Sequence, residues 1–147
     1  MAAPRFRRAV DKVARPLLEP LGFTFHPADA PGYGVYAFLR PWKAGWNHGI
    51  ALQTNRNKRA FAVELGVVRD NFWRSSPFEN MGPWREFGLR LDLGEVIHAS
   101  NPEIDFDFIE YQDQNGLEEA LRQSLGQALA FGPAVWERMG SRLLASD

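Results

Sequence analysis

Nine carboxylates lie between Arg90 and Arg122, a stretch with no Lys or Arg: Asp92, Glu95, Glu103, Asp105, Asp107, Glu110, Asp113, Glu118 and Glu119. Gathered in space, they would set up a negative field that speeds association with a basic protein partner. The densest part is Glu103, Asp105, Asp107, Glu110 and Asp113, which is five acids in 11 positions. Asp105 and Asp107 alternate with Phe106 and Phe108, so in a strand the carboxylates share one side and the rings the other. Two carboxylates so placed suit a hard cation or a shared proton. The sequence offers no third ligand, and an amphipathic edge strand whose charges block aggregation accounts for the same pattern. A solvated face, neutralised by the basic first helix or by Arg56, Lys58 and Arg59, accounts equally for the whole run.

Other chemistry is thinly supplied. The chain of 147 residues has no cysteine, which excludes disulfides, thiolate nucleophiles and Cys-based metal centres. His26, His48 and His98 show no metal-ligand spacing, and His48 falls in register with Trp46 and Ile50, which marks a partly buried structural position. No nucleophile elbow, Walker loop or dinucleotide fingerprint occurs, so no cofactor is implied. Trp73, Phe78 and Trp84 sit in a stretch without period, and Trp42 and Trp46 flank a turn. Exposed Trp residues anchor protein interfaces, and buried ones close the ends of a core. Trp73 and Trp84 therefore join the acidic residues as candidate partner contacts. A pI near 6.3 argues against a nucleic-acid binder. A second site would draw on Gln53, Glu64 and His98, in a pocket between the sheet and the last helices.

The elements that must position these groups read clearly. Phe6, Val10, Val13 and Leu17 are spaced by 4, 3 and 4, which predicts an amphipathic helix over 4–18 with Pro16 kinking its last turn. From Leu21 the period falls to two. GFTFHP, YGVYAFLRP, WNHGIALQTN and RAFAVELGVVR read as successive strands, joined by connectors too short to hold a crossover helix. Phe61, Val63, Leu65 and Val67 form the cleanest apolar row. Residues 70–86 read as a long loop, and FGLRLDLGEVIH and IDFDFIEYQ as two further strand-like pieces. Leu117, Leu121, Leu125, Ala128 and Leu129 make a helical stripe over 117–131, which Gly132–Pro133 breaks before a short last helix. The expected fold is α+β in a single domain, 1–147. An N-terminal helix and one or two C-terminal helices pack on one face of an antiparallel meander of four to six strands (roughly, by usual sheet size). No run of 18 apolar residues is present, which excludes a membrane helix. The start MAAPRFRRAV lacks a signal peptide's apolar stretch, so a cytoplasmic setting is expected.

A basic amphipathic helix running into PLLEPLGF, then a hairpin, then ALQTNRNKRAFAVELGVV, LDLG and LEEALRQSLGQALAFGPAVWERM follow one another in this order. The order resembles the small bacterial proteins grouped as domain of unknown function 4304, over about residues 5–140. The style is also similar to immunity proteins of bacterial polymorphic toxin systems. That likeness implies a bacterial, non-enzymatic protein-binding module and carries no catalytic residues. The alternative is an enzyme or small-ligand binder using the sheet–helix pocket. Charge divides along the chain, with +7 over residues 1–60 and −8 over 61–147, which fits either a charged partner or two halves that neutralise each other.

Overall fold

The computed structural model describes residues 5–30, 33–43, 45–55, 59–69, 88–92 and 109–145. Trp73, Phe78, Trp84, His98, Glu103, Asp105, Phe106, Asp107 and Phe108 lie outside the described residues. The chain opens on a helix and continues into strands β1 (Thr24–Ala30), β2 (Tyr33–Lys43), β3 (Trp46–Asn55), β4 (Ala60–Arg69), β5 (Gly88–Asp92) and β6 (Ile109–Glu110). It closes on a long C-terminal helix, Gln114–Ala145. The strands form an antiparallel sheet in the order β1-β2-β3-β4-β5, with β6 also on β4. This is the α+β meander that the change of period predicts.

The opening helix is not uniform. An α-helical turn (Phe6–Ala9) passes into a π-helical turn (Val10–Ala14), another α-turn (Arg15–Leu18) and a 3-10 turn (Glu19–Leu21). Pro16 has no N–H for the carbonyl four residues back. Just before it, Arg15 N reaches Val10 O, five residues back. One extra residue in the turn rotates everything after it. The buried face therefore runs Phe6, Val10, Val13, Ala14 and Leu18, while Leu17, expected inside, is 37% exposed. The helix stops at Gly22, whose φ of 95° is open to glycine at little cost. Gly22 N donates to Glu19 O and Phe23 N to Leu18 O, the paired bonds of a Schellman cap, closed by burial of both Leu18 and Phe23.

Both helices cover the sheet face that carries Tyr36, Phe38, Ile50, Leu52, Phe61, Val63, Leu65 and Val67, all buried in one cluster with Leu117, Leu121, Leu125 and Ala128. Register makes the row continuous, since Phe25 pairs with Phe38, Phe38 with Ile50, Ile50 with Leu65 and Leu65 with Leu91. Phe6 packs its ring against Tyr36 and Phe61 at centroid distances of 5.5 Å each. The opposite face also carries buried residues, Ala37, Leu39, Ala51, Ala62 and Val68.

The expected break at Gly132–Pro133 does not occur: one helix of 32 residues runs through Pro133. A residue before proline is barred from helical conformation mainly by its own Cβ and N–H against the proline ring. Gly132 has no Cβ, which removes the worst of that clash. The glycine serves a second end, because a Cβ there would lie 2.7 Å from the Trp136 ring. The helix starts with Asp113 as its cap, whose Oδ1 accepts from Gly116 N at 2.6 Å.

Two tests follow from this packing. Leu65→Ala or Leu121→Ala, each at a side chain with no exposure, is expected to cost about 2–5 kcal/mol in urea denaturation. A cost below about 1 kcal/mol, typical of surface sites, places that side chain outside the core. Helical glycines are expected to split by position. Gly126 is exposed with nothing within 4 Å of an added Cβ, so Gly126→Ala should stabilise by roughly 0.5–1 kcal/mol. Gly132→Ala should destabilise by about 1–3 kcal/mol despite the same helical preference, through overpacking against Trp136. Equal effects at the two sites would show that Trp136 does not need the gap.

Candidate functional site

The acidic run can be followed at its described members. β5 and β6 lie along the same edge of β4: Asp92 pairs with Glu64, and Ile109 pairs with Phe61. Both run antiparallel to β4 in the same direction. The 16 residues between, 93–108, hold Glu95, Glu103, Asp105 and Asp107 and no Lys or Arg. Their two ends are pinned to β4 only three positions apart. The downstream pin is strengthened by Arg59, whose carbonyl accepts from Tyr111 N and whose Nη1 donates to Gln112 O. Glu110 is exposed on β6.

Asp113, Glu118 and Glu119 each have a partner within the chain. Asp113 caps the C-terminal helix. Glu118 is 3% exposed and takes Lys12 Nζ at 2.9 Å, joining the two helices. Glu119 pairs with Arg122 at 3.4 Å and accepts from Gln123. Beside them, Gln114 brackets the backbone of Arg5: its Oε1 accepts from Arg5 N at 2.8 Å and its Nε2 donates to Arg5 O.

Gln53 and Glu64 are both half-buried, but on the sheet face turned away from the helices: Gln53 pairs with Ala62, and Glu64 with Ala51. They therefore do not line a space between the sheet and the C-terminal helix. That space is filled with apolar side chains, Leu117, Leu121, Leu125 and Trp136 among them, each at 0–1% exposure.

One titratable group does sit there. His48 lies two residues into β3, on the same face as Trp46 and Ile50, with Arg40 as its β2 partner and Val67 as its β4 partner. Its imidazole stacks on Trp136 at 4.8 Å and 7° and on Trp42 at 5.4 Å and 25°, so both ring faces are covered. Trp42 is placed by the bulge between Pro41 and Lys43, the irregularity that re-aims a strand side chain. Trp136 is 1% exposed and donates Nε1 to Gly49 O at 3.3 Å. Arg40 closes the cluster. Its guanidinium lies 4.5 Å from the Phe23 ring and 5.5 Å from Trp136, and its Nη2 is 3.5 Å from His48 Nδ1.

Burial, and then the Arg40 charge, push the His48 pKa from the ordinary 6.5 down to about 4. Burial also lowers that of His26. His48 Nε2 is buried with no hydrogen-bond partner among the described residues. The neutral ring is basic in principle, yet among the described residues no carboxylate orients it and no nucleophile is placed beside it, and its Nδ1 faces a cation, so the described surroundings are not those of a general base. Among the described residues no group of three His, Asp or Glu side chains is placed to hold a metal ion. Alternation along β3 marks His48 as partly buried from sequence. Its partners Arg40, Trp42 and Trp136 are brought together only by the fold, and nothing local in the sequence signals that.

The pH dependence has a definite sign. His48 is harder to protonate folded than unfolded, so its stabilising contribution is complete above pH 6.5 and is lost as pH falls toward 4. One pKa unit is about 1.4 kcal/mol, and partial solvent screening of a half-buried ring reduces the loss to on the order of 1–2 kcal/mol. Denaturation between pH 7 and 4 should show this loss, and His48→Gln should remove that component of it. A variant that loses stability as steeply as the wild type would assign the acid sensitivity to other groups.

Comparison with family models, with curated proteins and with solved structures gives no match for this chain.

Proposed function

We propose that the chain is a protein-binding module of the immunity-protein type, with no catalytic activity of its own, that offers an acidic surface to a basic protein partner in the bacterial cytoplasm. The observation that supports this reading is the placement of the described residues that flank the acidic segment. Residues 93–108 hold four acids and no basic residue, and their neighbours Asp92 and Ile109 both pair with β4, beside exposed Glu110. Flanks fixed three positions apart on β4 keep the charges of the segment near one end of the sheet, where they add to a local field. Glu103, Asp105, Asp107, Glu110 and Asp113 carry the charge in this reading, and Trp73 and Trp84 supply aromatic anchors. Asp113 contributes its charge from its capping position. Among the described residues no helix is long and apolar enough to cross a membrane.

A second reading, an enzyme or small-ligand site between the sheet and the C-terminal helix, draws on the partnerless Nε2 of His48. The two indoles covering the ring leave no face for a ligand, which favours the binding module.

The test begins with the partner recovered from the native host. Asp105→Lys with Asp107→Lys is expected to slow association about tenfold or more at low salt, because steering depends on the local field. Rising salt should narrow the gap between variant and wild type. An unchanged circular dichroism signal is expected, which separates a lost contact from a lost fold. An association rate that does not respond to the reversal removes the acidic segment from the interface.

A further inference from the structure

The geometry points to a hinged arm: residues 133–145 of the C-terminal helix are latched to the β2–β3 end of the sheet by the Trp42–His48–Trp136 stack, and uptake of a proton by His48 releases them.

The hinge is set by sequence. Pro133 cannot donate to the carbonyl of Leu129, so the helix has one backbone bond fewer at this point. Gly132 precedes it and adds conformational freedom. Upstream, Leu117, Leu121, Leu125 and Ala128 are buried without exposure and hold the helix to the sheet independently of the arm. Downstream, over residues 133–142, the buried anchors are Trp136, Met139 and Gly140, with Val135 partly buried against the core. Trp136 reaches His48, Phe23 and the Gly49 carbonyl. Gly140 lies so close to the Trp42 ring that an added Cβ would overlap it. Two of these contacts, Trp136 on the His48 ring and Gly140 against the Trp42 ring, use the two indoles that stack on His48.

The latch is specific to the neutral ring. Arg40 Nη2 can only donate, so its contact with Nδ1 leaves the ring proton on Nε2. A second proton must go to Nδ1. It displaces the Arg40 contact and sets two cations 3.5 Å apart. The charged groups around the ring are Arg40 from β2 and Lys43, whose Nζ lies 4.8 Å over the Trp42 ring. β4 presents Val67, and on the arm Glu137 and Arg138, beside Trp136, are exposed. Among the described residues no carboxylate meets the imidazole. Two indole faces favour a cation between them; burial of the ring and the Arg40 guanidinium 3.5 Å from Nδ1 oppose it, and both lower the His48 pKa.

Hydrogen exchange of the full chain at pH 7.5 and pH 4, corrected for intrinsic rates, tests the arm directly. Amides of 134–145 should lose protection by at least about tenfold relative to 117–129, the factor that one unit of pKa difference carries. The midpoint should coincide with the His48 ring titration followed by NMR. His48→Gln should keep the arm protected at pH 4, and Arg40→Gln should move the midpoint upward. Loss of protection in both helix halves together overturns the proposal. So does an arm transition that survives His48→Gln, or one whose midpoint in the wild type departs from the His48 titration.

Discussion

The packing of Trp136 is the contact on which the far end of the molecule depends. Among the described residues it is the largest side chain that is almost fully buried, and it needs three things at once. The helix must pass Pro133 without breaking, Gly132 must leave room for the ring, and Gly49 must offer a carbonyl to the indole N–H. An apolar ring of this size stabilises only when its one polar atom is also satisfied. Were the helix to end at residue 131, nothing else described would supply Trp136 or Met139 to the end of the sheet marked by Trp46, His48 and Val67. The same glycine that lets the helix approach proline thus lets the sheet be covered to its edge.

The sheet is legible in the sequence because its cause is local and repeated. Alternation over Phe61, Val63, Leu65 and Val67 names the buried face, and short connectors force antiparallel neighbours. The helices are less legible because each turns on a single missing atom. Pro16 lacks an N–H, and the π-turn before it slides the buried position from Leu17 to Leu18. Gly132 lacks a Cβ, and a dipeptide that ordinarily ends a helix is tolerated inside one. Periodicity counts side chains by type and cannot register either omission.

The candidate site shows the same limit. Counting charges gives each acid of the run 92–119 equal weight, while the fold gives them different work. Asp113 holds a helix end, Glu118 ties the two helices through Lys12, and Glu119 serves its own helix. Only Glu110 among these four described acids stands on the surface with no such task. What sequence did reveal is His48, since its alternation with Trp46 and Ile50 directs it inward. What it did not reveal is the company of Trp136, which lies 88 positions further along the chain and meets the ring only because the C-terminal helix crosses the sheet there.

Charge division along the chain bears on how much negative field is left to act outward. If the +7 and −8 portions cancelled across a shared interface, the cations of the opening helix would pair with acids from the second half. Among the described residues they do so once, at Lys12 and Glu118. Arg7 and Arg15 are instead taken up within their own helix, by Asp11 and Glu19, while both guanidinium groups cover the Phe25 ring at 4.9 Å. Arg40 and Lys43 are turned onto aromatic rings at the other end of the sheet. Cations committed to nearby acids and rings are poorly placed to screen carboxylates elsewhere, because charge interactions between exposed groups fall off over about 8 Å in physiological salt. Arg7, Arg15, Arg40 and Lys43 thus leave the field of the second half alone, whereas Arg59, which donates to Gln112 O beside Glu110, is placed to temper it, as Lys12 is at Glu118.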